Sequence, residues 1–162
     1  MALPSFGVIL EMGDGEDPEV FTENGEDPEV FTENGEDPEV FTEIAGVSSL
    51  SGPSLSVDTE DVTAHDSPGG YEEAVATIIR TGEVSMELFF DPGEASHDAL
   101  KAVMFSRLPR NFVLYFPDHP TKASRTQWSF SAFVTALSPT FEVSGAIGAS
   151  VTLKLHGQPT LQ

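Results

Sequence analysis

A chain of 162 residues with 39% hydrophobic content can bury one core, so a single domain with a surface appendage is expected and a second domain has no room. Twenty-seven acids against seven bases give a formal charge of -20, which argues against a partner held through phosphates, because that needs a basic footprint. The absence of cysteine excludes a disulfide framework and thiolate zinc sites, and no run approaches the roughly 18 apolar residues of a membrane span.

Met1-Ala-Leu-Pro-Ser lacks the basic and apolar regions of a secretory signal, so the protein is expected to be made and kept in the cytosol unless it leaves with an assembly. Phe6 to Met12 reads as a first strand with Phe6, Val8 and Leu10 on one side. Gly-Glu-Asp-Pro-Glu-Val-Phe-Thr-Glu-Asn then occupies 15–24, recurs unchanged at 25–34, and returns at 35–44 with Ile44 in place of Asn. Three decapeptides are too short to stack as a solenoid, so residues 15–34 read as a tandem insertion in the first hairpin loop. Removing them changes the formal charge from -20 to -12 and, being an even number of residues, keeps alternating side chains on their faces. Asn-Gly at 24–25 and 34–35 signals turns, but the prolines and acids of each copy equally suit a solvated loop. Glu23, Asn24, Glu26, Asp27 and Glu29 do not have the spacing that wraps a calcium ion.

Glu39 to Val47 is expected to be a second strand closing against the first, and Ser48 to Tyr71 a long polar connection, with strand character at Ser54–Val57 and Asp61–Thr63. Asp58, Asp61, His65, Asp66 and Ser67 superficially suggest a hydrolase or metal site. Ser67 lacks a nucleophile elbow and the four histidines are scattered, so turn formation is the better reading and no catalytic, metal or cofactor site is expected. Ala74 to Arg80 is ambiguous between strand and short helix, with a hairpin into the next strand favoured. Glu83 to Phe90 alternates Val84, Met86, Leu88 and Phe90 with Glu83, Ser85 and Glu87, a strand with one wet and one buried face. Ser96 to Arg107 reads as a helix with Ala99, Leu100, Val103 and Met104 as its stripe, Ser96 as N-cap, and Arg107 favourable to the dipole before Pro109. Strands follow at 111–116, at 126–137 with Trp128, Phe130, Ala132 and Val134 on one face, and at 151–155 after a flexible link from Gly145.

Asp61-Val-Thr63, Ser67-Pro-Gly-Gly-Tyr71 and a Gly82-Glu-Val84 strand ending in Asp91-Pro92, in that order, resemble the major tail protein, or tail tube protein, of long-tailed siphovirus-type bacteriophages. His156-Gly-Gln-Pro-Thr160 resembles that family's C-terminal end, so the resemblance covers most of the chain apart from 15–34. The pattern of strands and one helix predicts a mainly β fold, a β-sandwich or partly open barrel covered by the helix. The resemblance implies sheets joined between subunits into hexameric rings, stacked as a hollow virion tail tube that is assembled in the host cytoplasm. DNA would cross its lumen without specific binding, with tape measure and tail terminator proteins as further partners and no membrane. It also implies that 48–71 is a long inter-ring loop carrying Asp58, Asp61, His65, Asp66 and Tyr71. Glu83, Ser85 and Glu87 are candidate lumen-facing residues, where acids and hydroxyls would repel phosphates. The alternative is a small β-sandwich carbohydrate or ligand-binding module using Trp128, Tyr115 and Tyr71, although the phase of Trp128 with Phe130 predicts burial.

Overall fold

The computed structural model describes residues 7–15, 39–65, 68–143 and 145–162. The expectations placed on Phe6, on the repeated decapeptides at 16–38 with their turns and oxygen ligands, and on Asp66 and Ser67 lie outside the described residues. Among the described residues nine strands and one α-helix run in the order β1 (Ile9–Gly13), β2 (Phe41–Glu43), β3 (Val47–Ser51), β4 (Leu55–Asp61), β5 (Ala74–Thr81), β6 (Glu83–Phe89), α1 (Ala95–Ser106), β7 (Arg110–Tyr115), β8 (Gln127–Thr140) and β9 (Gly148–Leu161). Seven strands form one antiparallel sheet in the order β2-β1-β7-β8-β9-β6-β3, and β4 and β5 form a separate two-stranded arm.

Alternation places one face of the long strands of the seven-stranded sheet in a single core. Leu10 and Met12, Phe112 and Leu114, Phe130 to Val134, Val151 to Leu155, and Val84 to Leu88 converge there, and α1 adds Leu100 and Val103. Phe112 and Phe130, opposite one another on β7 and β8, stack with centroids 5.8 Å apart. Val84, Met86 and Leu88 are almost wholly buried, which stabilises the fold by about 1.5–3 kcal/mol for each such side chain.

The expected strand from Glu39 to Val47 is in fact two. The Ile44 N–H donates to Leu10 O at 2.9 Å, while the Phe89 N–H donates to Gly46 O at 2.8 Å, so within two residues the chain leaves β1 and reaches β6. These are partners at opposite sides of the sheet, which is therefore strongly curled. Gly46 has φ +73, and a Cβ there would sit 2.9 Å from Phe89 O, so a side chain at the crossing would be strained and crowded. The crossing is clasped from α1. The Ala45 N–H donates to Ser96 Oγ at 3.3 Å, and His97 Nε2 lies 2.9 Å from Ala45 O. Ser96 is thus not the helix cap. Glu94 occupies that position without a side-chain cap bond, and Arg107 is the C-cap, at φ 58, rather than a last-turn base.

Two further expectations change. Ala74–Thr81 is a strand, but it pairs back with β4 and not forward with β6. β8 continues through Pro139 to Thr140, and β9 begins at Gly148, because the two form one long hairpin whose pairing reaches Thr140 opposite Gly148.

Candidate functional site

Two surfaces are built by this arrangement. The first is the outer face of β3, β6, β9 and β8. With Val84, Met86 and Leu88 turned inward, Glu83, Ser85 and Glu87 are exposed on the opposite face. Register extends them into rows: Ser51, Ser85 and Thr152 in one, Ser49, Glu87, Ser150 and Ser138 in the next. Ser49 Oγ donates to a Glu87 carboxylate oxygen at 3.3 Å, and Ser48 Oγ to Glu87 O at 3.1 Å, so the carboxylate row is knitted to the edge strand. Lys154 lies opposite Glu83 and reaches its carboxylate at 3.8 Å, a solvent-exposed pair of small energetic value. The face ends at Phe133, which meets His156 edge to face at 5.5 Å. Chemically it offers hydroxyls and carboxylates with one offset cation, the composition of a non-adhesive surface toward polyanions.

The second surface is the arm. Gly82, where β5 turns into β6, permits it, since a Cβ there would fall 2.2 Å from Ser54 O. Opposite residues in an antiparallel pair share a face, so Leu55, Val57 and Ile79 lie on one side of the arm, while the register shift after Val57 puts Val75, opposite Glu60, on the other. All three are exposed, Ile79 by 66%. Beneath the arm's base a cleft of about 530 Å³ opens between Leu55, Ile79 and Thr81 on one side and Gly157, Gln158 and Pro159 on the other.

Of the polar residues expected on the inter-ring loop, Asp58 and Asp61 make contacts within the arm. Arg80 Nε donates to Asp58 at 2.6 Å within the arm. The Asp61 carboxylate accepts the Thr63 hydroxyl at 2.5 Å and the Thr63 N–H at 2.8 Å, which hold its pKa below the usual carboxylate value. His65 and Tyr71 are exposed near the arm's far end, Tyr71 by 78%. The apolar side chains that mark the surface were missed because β5 reads locally as a buried run. Its pairing with β4, which carries Leu55 and Val57 in phase, is the signal that identifies them.

Trp128 packs against the core, and Tyr115 on a different strand covers the Lys122 ammonium at 4.8 Å, so with Tyr71 out on the arm the three aromatics do not form a common platform. Lys122 also pairs with Glu11, a carboxylate only 5% exposed. That hydrogen bond raises the Lys122 pKa, while burial, followed by the Glu11 charge, raises that of Tyr115. The cluster anchors the 117–126 connection, where Asp118 accepts the Thr126 hydroxyl and N–H and is held below the usual range chiefly by that hydroxyl. Among the described residues no three His, Asp or Glu side chains are grouped to hold a metal ion.

The sequence profile described as "Lambda phage tail tube protein, TTP" matches residues 22–162. No curated protein matches. Among solved structures, a chain from the virion of a native gene transfer agent particle superposes with a TM-score of 0.62 at 18% identity, covering 75% of this chain and 88% of that one. One from the anti-feeding prophage baseplate gives 0.65 at 11% identity over 100% and 97%. The SPP1 tail tube gives 0.61 at 11% identity over 98% and 78%. At these identities the superpositions establish a shared fold.

Proposed function

Since the chain belongs to the lambda phage tail tube protein family, we propose that it is the repeating subunit of a virion tail tube, forming hexameric rings that stack around a DNA-conducting bore and performing no chemistry itself. The observation that carries this reading is the two-sided β3-β6-β9-β8 sheet, sealed into the core on one face and presenting hydroxyl and carboxylate rows on the other. In a ring the polar face lines the bore, with Glu83, Ser85 and Glu87 directed at the passing DNA. Like charge keeps phosphates from settling on the wall, and the hydroxyls provide wetting without a cationic trap. The outer edge of β3, which pairs only with β6 among the described residues, would pair with a neighbouring subunit, which turns an aggregation hazard into a closed ring. The arm, formed by β4 and β5 and so shared between the later part of 48–71 and the strand after it, reaches the adjacent ring, whereas Ser48 to Ser51 belong to β3 of the main sheet. Tape measure and terminator proteins meet the bore and the tube's end.

Negative-stain electron microscopy of the purified protein, over a range of concentration and salt, tests the assembly. Rings and hollow tubes are expected, and a chain that stays monomeric even with a tail-tip initiator complex overturns the reading. Ser85→Cys, labelled with a heavy-atom maleimide in this cysteine-free chain, tests the bore. Density inside the tube wall is expected; density on its outer rim would reject the lumen assignment while leaving the tube intact.

A further inference from the structure

The arm and the β8–β9 turn sit at opposite ends of the same strand. The arm joins β6 at Glu83, which pairs with Lys154, whereas Phe89 at the other end pairs with Gly148, where β9 begins. Seven extended residues set these ends about 20 Å apart. At the far end a second apolar group is exposed: Phe89, Phe141, Val143 and Ile147, with Val143 as open as in an extended peptide at 109%. The Phe90 N–H donates to Ile147 O at 2.7 Å, which ties the turn to the end of β6 and brings these side chains to the same end of the strand.

Resting on the tube reading, we infer that the partner of the arm is this second patch on another copy of the same chain. The β8–β9 turn of one subunit seats Phe141 and Val143 against the apolar arm face and the cleft below it on a subunit of the adjoining ring. Area supports a second copy as the occupant. With large apolar side chains of about 150–200 Å² each, the exposed fractions leave roughly 280 Å² on the arm face and roughly 500 Å² on the turn patch. Their total is most of the roughly 900 Å² of apolar surface in a standard stable interface of about 1,600 Å². The cleft's volume, about 530 Å³, lies within the roughly 300–1,000 Å³ range of sites that enclose a compact apolar group. One arm and one turn per chain, facing opposite ways, also form a heterologous pair. Such a contact does not satisfy itself within a dimer, and between patches at opposite ends of the subunit it extends to further copies as a stack.

The absence of cysteine makes the test clean. Ile79→Cys is combined in turn with Phe141→Cys, Val143→Cys and Ile147→Cys, and assembled protein is treated with a short bismaleimide. A head-to-tail contact gives a ladder of dimers, trimers and longer covalent multimers on a denaturing gel for at least one pair, and no ladder from either single variant. Dimers from Ile79→Cys alone would show arms meeting arms and overturn the inference. So would tubes, visible by microscopy, in which none of the three pairs cross-links. A second arm of the test uses Val143→Glu, an exposed position whose circular dichroism should match the parent. Rings should persist by native mass spectrometry while tube yield falls at least tenfold; undiminished tubes would refute the contact. Failure of the unmodified chain to form rings or tubes would instead reject the tube reading on which the inference rests, and the inference with it.

Discussion

Replacing His97 by leucine tests whether the clasp at Ala45 holds the curled sheet together. The ring is 1% exposed and stacks on Phe90 with centroids 5.5 Å apart. Its hydrogen bonds fix one tautomer: the Asp91 N–H donates to Nδ1 at 3.1 Å, so Nε2 carries the proton donated to Ala45 O. Leucine fills a comparable space but leaves that N–H and that carbonyl without their partner. An unpaired buried polar group costs about 1–3 kcal/mol, and the surroundings here are only part-buried, so a combined loss of about 2–4 kcal/mol is expected. Against a total stability of about 5–15 kcal/mol this is readily measured. Urea unfolding followed by fluorescence should show a lower midpoint with an unchanged slope. Ser96→Ala, which removes one longer bond to the Ala45 N–H, should cost about 1 kcal/mol. A leucine variant within about 1 kcal/mol of the parent would refute the clasp and mean that core burial alone holds the β2–β3 crossing.

Three other outcomes follow from the same structure. Deleting residues 15–34 should leave ring formation intact, because Asp14 and Val40 already pair across the mouth of the hairpin at 3.1 Å; shortening the loop should add about 1.5 kcal/mol through closure entropy, and loss of rings would show that the repeat is structural. Lys122 and Tyr115 both have raised pKa values in the folded chain, from 10.5 and 10.0 respectively. Protons are therefore held more tightly folded than unfolded, and this contribution is complete below those ordinary values and lost as pH rises from them through the raised folded ones. Melting temperature should fall more steeply above about pH 10 in the parent than in a Tyr115→Phe, Lys122→Met variant; identical profiles would discount the cluster. Gly82→Ala should cost about 1–3 kcal/mol or displace the arm, since its Cβ would overlap Ser54 O, and an unchanged melting temperature with normal tubes would contradict the close approach.

How much was legible in the sequence depended on where each residue's partner lies. Glu83 to Phe89 was readable because its alternation is a local consequence of one buried and one wet face, and the structure keeps both sets where the period puts them. The motifs around Asp61 and Asp91 led to the tail tube family that the sequence profile identifies. Ala74 to Thr81 was not readable in the same way. Its run of small and branched residues resembles a core strand, yet every position from Ala74 to Arg80 is exposed and its partner is β4. Ser96 failed as a cap for a related reason: a serine before a helical stripe satisfies the local rule, but its hydroxyl is taken by Ala45, fifty-one residues earlier in the chain. The break at Ala45-Gly46 is likewise invisible locally. Gly46 interrupts a strand pattern, but only the curl of the sheet explains why the chain must change partners there.

β6 joins these features into a single assembly argument. Its inward residues make it inseparable from the core, so its position and tilt are set by folding and not by a neighbour. In the proposed tube its outward residues would have a fixed aim, toward the bore. Lys154, the cation of that face, lies opposite Glu83, whose carboxylate it reaches at 3.8 Å. Its two ends carry apolar groups, while the middle of its outer face carries none. Under the proposed stacking, a subunit with a formal charge of -20 needs apolar contact at its ends, since burial there must outweigh repulsion between copies. Separating the two roles along one strand would let the proposed wall remain non-adhesive and the ends adhesive without either compromising the other.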